Sequence, residues 1–269
     1  MDRHLGPKNG PPRDDIKGGF QMNLLLSRRF PLYLLGAFAL WFLAWAIHPS
    51  HFDDFLLEHV LTTLLMVFLV WNHSRFRLSN LSYTLIFLFL CLHVIGAHYS
   101  YAEVPYEKWL ATVGSWFGNP DFSLDRLCGF KRNMCDRLVH CSFGLLFAYP
   151  VREIFIRVAR VKGFWGYYLP LDVMMSFSMI YELIEWGSAV YFGGDLGDAF
   201  LGSQGDIWDA QKDMAFASLG ALFTMTVTAL VNRRLQRDFA QEWADSLSAG
   251  KSSPLGEVRI KKLLRKRKR

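Results

Sequence analysis

Leu81-Ser-Tyr-Thr-Leu-Ile-Phe-Leu-Phe-Leu-Cys-Leu-His-Val-Ile-Gly-Ala-His-Tyr99 contains no Lys, Arg, Asp or Glu. It also lacks a polar stripe at helical period. A helix built from it is apolar on almost every side, which suits lipid and not water. Its length matches a bilayer core of about 30 Å, which takes about 20 helical residues. Apolar runs of similar kind recur at Phe30–Ile47, Phe55–Trp71, Asp136–Ile154, Tyr167–Phe192 and Asp213–Val231. The 269 residues are 52% apolar, 16% aromatic and 20% charged, and the charges fall mostly between the runs. A large soluble domain with six buried helices would show amphipathic stripes. The sequence instead predicts an all-α fold, a polytopic membrane helix bundle of about six transmembrane helices.

Charge sets the orientation. With a cytoplasmic amino terminus, segments 1–29, 72–80, 155–166 and 232–269 plus Arg152 hold 24 of the 30 Lys and Arg. Segments 48–54, 100–135 and 193–210, on the other side, hold 0, 4 and 0. This bias follows the positive-inside rule and predicts both termini cytoplasmic. The chain divides into a disordered cytoplasmic head (1–29), rich in Gly and Pro, a six-helix transmembrane domain (30–232) and a basic cytoplasmic tail (233–269). Within that tail, residues 235–258 suit a short surface helix. Read alone, Arg259–Arg269 suits RNA; beside a cytoplasmic helix end it suits anionic headgroups. Membrane lipids are therefore the expected partners, and no nucleic acid. No small-residue cleavage site follows the first run, which reads as a retained span. Cys128 and Cys135 match no familiar zinc spacing and read as either a disulfide or two thiols.

Two loops on the outer side stand out. Segment 100–135 carries Tyr101, Tyr106, Trp109, Trp116 and Phe117, aromatics suited to the headgroup region and to a short helix on the membrane surface. Segment 193–210 is rich in Gly and Asp, as turns are, and such a loop also suits a cation.

Ionisable residues within spans are costly and point to function. The third span carries His93 and His98, followed by Glu103. Asp136 and His140, four apart, share one face at the start of the fourth. Glu182 and Glu185 share a face of the fifth, and the sixth opens on Asp206, Asp209, Gln211 and Asp213. Under this topology all lie toward the outer side. The first two spans contribute little, Glu58 being their one candidate, and Asp172 reads as structural. His93, His98, His140 and Glu182 are candidate ligands for a divalent metal such as zinc, which acidifies water for attack on an ester or phosphoester. His140, Asp136, Glu182, Glu185, Asp209 and Asp213 are candidate catalytic groups, since an Asp–His pair with a further carboxyl can also work without metal. Arg137, Glu103 and Gln211 are candidate substrate contacts. The same groups could serve a proton path, or only lock the bundle by hydrogen bonds.

Four motifs in order carry a family resemblance: His93-Val-Ile-Gly-Ala-His-Tyr-Ser-Tyr-Ala-Glu-Val-Pro105, Asp136-Arg-Leu-Val-His140, Tyr181-Glu-Leu-Ile-Glu-Trp186 and Gly202-Ser-Gln-Gly-Asp-Ile-Trp-Asp-Ala-Gln-Lys-Asp-Met214. Over about residues 35–232 the chain resembles the bacterial inner-membrane family typified by YjdF. The last three motifs also resemble the VanZ-like membrane proteins, with Glu185 where that pattern has glutamine and Asp213 where it has asparagine. The resemblance implies a multi-pass protein of the cell inner membrane and a role in the envelope; VanZ-like proteins are linked to glycopeptide-antibiotic resistance. The expected function is a hydrolase acting on a lipid or lipid-linked envelope molecule. A small transporter or proton-coupled carrier, and a structural envelope protein without catalysis, are the alternatives. Against the carrier, the sequence shows no internal repeat and no pair of broken helices.

Overall fold

The structure, a computed structural model, describes residues 27–194, 203–248 and 264–265. Nine helices and no strand are bounded among them: α1 (Phe30–Trp45), α2 (Phe52–Asn72), α3 (Asn80–His98), α4 (Tyr106–Trp116), α5 (Leu124–Cys128), α6 (Cys135–Arg157), α7 (Trp165–Phe192), α8 (Asp209–Leu235) and α9 (Phe239–Leu247). The six apolar runs become α1, α2, α3, α6, α7 and α8, joined in antiparallel sequence. Four of these, α2, α3, α6 and α8, are each long and apolar enough to cross a membrane. α1 is apolar with 16 residues, and α7 has 28 and carries Asp172, Glu182 and Glu185. Large apolar side chains point outward along the bundle, Leu40 at 73% exposure and Phe223 at 62% among them. Such a surface is stable only against hydrocarbon.

Local chemistry sets the helix ends. α1 opens on Pro31, in the first turn, where a missing N–H costs nothing. The Ser79 hydroxyl caps α3 by accepting the Ser82 N–H at 3.1 Å. Glu153 of α6 accepts the Ser79 N–H at 2.8 Å and the Ser82 hydroxyl at 2.5 Å, so the last turns of α6 are bound to the first of α3. Arg157 holds Glu153 from one turn on.

Two packing centres build the bundle. Phe38, Leu78, Ile86, Leu90 and Val94 join α1 to α3. Ala148, Tyr167, Met174, Ala221 and Met225 join α6, α7 and α8. In the second the backbones nearly touch: a Cβ on Gly144 would stand 1.8 Å from the Ala217 carbonyl oxygen, and one on Gly220 2.1 Å from that of Cys141. Small residues make this approach possible in lipid, where van der Waals packing drives helix association. Thr224 adds a hydrogen bond to the Leu145 carbonyl across the pair at 2.6 Å.

The expected surface helix of segment 235–258 is α9. Its Phe239 and Trp243 pack on Tyr167, with ring centroids 6.2 and 5.6 Å away, and Glu242 accepts the Gly163 N–H at 3.1 Å. α8 runs to Leu235, past the expected end of the transmembrane domain at 232. The long 100–135 segment does contain a short helix, α4, and also α5, whose first N–H groups donate to Glu107 at 2.9 and 3.0 Å. Those bonds and the Ser123 hydroxyl hold the Glu107 carboxyl below its ordinary range, the hydroxyl most. Cys128 and Cys135 are free thiols, the former exposed and the latter buried. Asp172 is exposed on α7. The head up to residue 26, residues 195–202 of the Gly/Asp loop and most of the Arg259–Arg269 run lie outside the described residues.

Because nothing flexible can yield at the α6–α8 crossing, Gly144→Val and Gly220→Val should each cost about 2–3 kcal/mol, as overpacking does. Thermal unfolding in detergent should fall by roughly 5–10 °C. Leu219→Ala, on the exposed face of α8, should leave the midpoint within about 2 °C.

Candidate functional site

The α6–α8 contact brings together the two acidic helix starts. Arg137 of α6 donates to Asp206 at 2.6 Å and to Asp209 at 3.0 Å. Arg132, just before α6, pairs with Asp209 and donates to the Ser203 carbonyl at 3.0 Å. Lys212 reaches Asp206 at 2.7 Å. Asn133 and Gln204 exchange backbone and amide hydrogen bonds at 2.9 and 3.2 Å. The segment entering α8 is thus latched to the segment entering α6. Lys212, the Trp208 N–H and Arg137 together hold the Asp206 carboxyl well below the usual carboxylate range.

Beneath the latch lies a second layer. Asp136, His140 and Asp213 each present a ligand atom, and these atoms lie within 4.8 Å of one another. His140 Nε2 is 3.6 Å from Asp136 and 3.5 Å from Glu182 of α7. Asp213 is 2% exposed, and its Oδ1 and the Glu182 Oε1 that faces His140 accept no hydrogen bond among the described residues. Glu185 sits against Glu182, one turn further along α7. No Lys or Arg pairs with Asp213, Glu182 or Glu185 among the described residues. Carboxyl oxygens and an imidazole converging in a buried site form a donor set that fits a divalent cation.

A third group faces this one across the bundle. Glu58 of α2 accepts the Tyr181 hydroxyl of α7 at 2.8 Å and lies 3.4 Å from that of Tyr101. Tyr101 also pairs with His93 Nδ1 at 2.6 Å. The His93 ring lies 5.3 Å from that of His59, whose Nδ1 bonds to the Phe55 carbonyl at 2.7 Å. Tyr101 arrives through a strained turn: Ser100 and Tyr101 have φ of 47° and 49°. Left-handed non-glycine residues cost of order 1–3 kcal/mol each and persist only when held. Here Ser100 donates to buried Asp54, and the Tyr101 ring lies on Gly96, where a Cβ would meet it at 2.3 Å. Below Glu58, His93 and His140 opens a cavity of about 550 Å³ walled by α2, α3, α6 and α7.

A family model described as predicted membrane protein (DUF2238) matches residues 30–234. The chain belongs to this family. It is 37% identical over 185 residues to the inner membrane protein YjdF of Escherichia coli strain K12, covering 68% of this chain and 81% of that protein. No solved structure matches. Membership agrees with the YjdF-like resemblance and with a multi-pass inner-membrane protein.

Of the residues singled out by sequence, Asp136, His140, Glu182, Glu185 and Asp213 do converge. Asp209 belongs to the latch instead, and Arg137 pairs with Asp206 and Asp209 through one guanidinium nitrogen. His93 lies with Tyr101 and Glu58. His98 turns away, its Nδ1–H donating to the Trp45 carbonyl at 2.7 Å, because it follows His93 by five residues and so leaves that face. Glu103 is exposed and meets His51 at 3.4 Å, and Gln211 is exposed on the outer turn of α8. The expectation that the first two spans contribute little is overturned: α2 buries Asp54, Glu58 and His59. Asp54 and Glu58 are four apart, the same one-face spacing read in Asp136 and His140, and that was the available signal. Tyr101, expected at the headgroups, is instead buried in the site.

The latch makes two measurable demands. Arg137→Met takes one cation from Asp206 and Asp209, which keep Lys212 and Arg132, and should cost about 1.5–3 kcal/mol, the scale of a hydrogen bond to a charged group. It should be read as a lower unfolding midpoint in detergent. Because Asp206 has a depressed folded value, its stabilisation is present above its ordinary 3.8 and lost as pH falls below it. The unfolding midpoint should therefore have an acid limb starting near pH 3.8 that is smaller in Asp206→Asn.

Proposed function

We propose that this protein is a metal-dependent hydrolase acting on a lipid or lipid-linked molecule of the cell envelope. The observation that carries the reading is the convergence of Asp136, His140 and Asp213 within 4.8 Å, beside carboxyl oxygens of Asp213 and Glu182 that accept no hydrogen bond among the described residues. These three residues would hold the ion. A divalent ion such as zinc polarises an ester or phosphoester oxygen and makes water acidic enough to attack it. The chain supplies the rest. Glu182, 3.5 Å from His140, is placed to accept the attacking water's proton, and Glu185 beside it gives that proton a further stop. The Arg137–Asp206–Asp209 latch fixes the α6 and α8 starts so that Asp136 and Asp213 stay in register. Tyr101 and Tyr181 orient Glu58 on the opposite wall.

The charge bias of the segments supports a bundle of six spans with both termini cytoplasmic and this end outside. An outward-facing site suits an envelope substrate. A carrier would need a polar route onward to the other end. The cavity below the cluster is walled instead by groups such as Leu65, Phe147, Val151 and Ile154.

Metal analysis of the detergent-purified full chain tests the reading. Wild type should hold a stoichiometric divalent metal, and Asp213→Asn and His140→Ala should lose at least about tenfold in affinity, the scale of ligand-shell disruption. Glu182→Gln should retain the metal. Absence of stoichiometric metal from wild type, after loading with zinc or manganese, would sink the proposal. For the orientation, reporter fusions at Gly118 should read outside and those at Ser74 and Arg160 inside; the reverse pattern would remove the envelope substrate.

A further inference from the structure

The cavity beneath the cluster has two unlike ends. At one, Glu58, His93, Asp136, His140 and Tyr181 supply polar atoms. From there it runs between apolar walls to Leu78, Pro150 and Ile154. Along α6 the distance from His140 to Ile154 is about 21 Å at about 1.5 Å per residue. One leaflet of hydrocarbon is about 15 Å deep, half of the about 30 Å core, so the slot is at least as long as a lipid chain is deep. If a methylene takes about the volume of a water, about 30 Å³, then 550 Å³ holds on the order of 20 carbons. That is room for one long chain.

The slot has a side door. α3 packs on both α2 and α6, and α6 packs on α7, but α2 and α7 scarcely meet among the described residues. Their hydrogen bond, Tyr181 to Glu58 at 2.8 Å, closes the gap only at the polar end. Below it the rim is formed by Leu61, Phe68, Phe177 and Ile180, all exposed and apolar. An opening of this kind faces lipid along its length. Water-filled, these walls would be unfavourable; a hydrocarbon chain from the bilayer fills them without loss of hydrophobic contact.

We propose that the cavity binds the hydrocarbon chain of a single-chain lipid, admitted sideways between α2 and α7, with its polar head among Glu58, His93 and His140. This names the substrate class of the proposed hydrolase and rests on that reading for the fate of the head; chain binding itself needs no turnover. The nearest cations, Arg132 and Arg137, are taken by Asp206 and Asp209, so an anionic head would be held by the ion at Asp136, His140 and Asp213 and not by a basic side chain.

Photocrosslinking of the purified full chain tests it, with diazirine-bearing probes of three kinds: a long straight-chain alcohol phosphate, a long prenyl phosphate and a two-chain phosphatidylethanolamine. One or both single-chain probes should label Leu65, Phe147 or Val151, as located by peptide mass spectrometry, and the two arms tell a straight chain from a prenyl one. Thr62→Phe and Val151→Phe, which narrow the slot from different helices, should cut that labelling at least about tenfold. Leu222→Phe, outside it, should not. Labelling confined to exterior residues such as Leu222 and Phe223, or cavity labelling by the two-chain probe alone, would overturn the inference. Cavity labelling of a protein that holds no metal would leave it standing and remove the hydrolase; metal without cavity labelling would do the opposite.

Discussion

The contact between α6 and α8 is made by backbone against backbone, at Gly144 on Ala217 and Gly220 on Cys141. In a bilayer there is no hydrophobic force to press two apolar helices together, so their association depends on how closely they fit. Removing side chains at two crossing points lets the axes approach until carbonyls meet amides. The consequence reaches one and two turns toward the helix starts. Asp136 and His140 on one helix and Asp213 on the other are carried into the same few ångströms, with Asp209 in the latch above. The site therefore depends on residues that have no functional groups at all.

Such crowding of carboxyls needs compensation, because an unpaired charge in low dielectric is expensive. The outer layer has it: Arg132, Arg137 and Lys212 stand against Asp206 and Asp209. In the inner layer Asp136, Asp213, Glu182 and Glu185 gather around one imidazole, and Arg137 and Arg132 act on Asp136 and Asp213 only from the layer above. On the proposed reading, a divalent cation would supply the charge that this second tier lacks.

The opposite wall is built by a different device. Ser100 and Tyr101 are held in left-handed backbone conformations at the end of α3, and the held turn aims Tyr101 back over Gly96 toward Glu58 and His93. Hydrogen bonds from two tyrosines and from Ser100 then position the acids of α2. Together the walls leave between them a slot that is polar at one end and apolar along its length.

Much of this was legible in the chain. Runs such as Leu81–Tyr99 demand lipid on every side, the distribution of Lys and Arg predicts an orientation, and spacings of three and four put Asp136 with His140 and Glu182 with Glu185 on single faces. These are local facts, set by the pitch of one helix and the polarity of its solvent. How each helix is rotated against its neighbours is not local. Whether Asp209 meets an arginine or an open site, whether His98 joins His93 or turns to Trp45, and whether Tyr101 lies at the membrane surface or in the core were decided by packing. The sequence by itself determined an all-helical membrane protein with its acids and histidines gathered at one end. Tertiary structure alone decided which of them meet, because that depends on two glycines letting α6 and α8 close to backbone contact and on a strained turn bringing α2 and α3 into the same site.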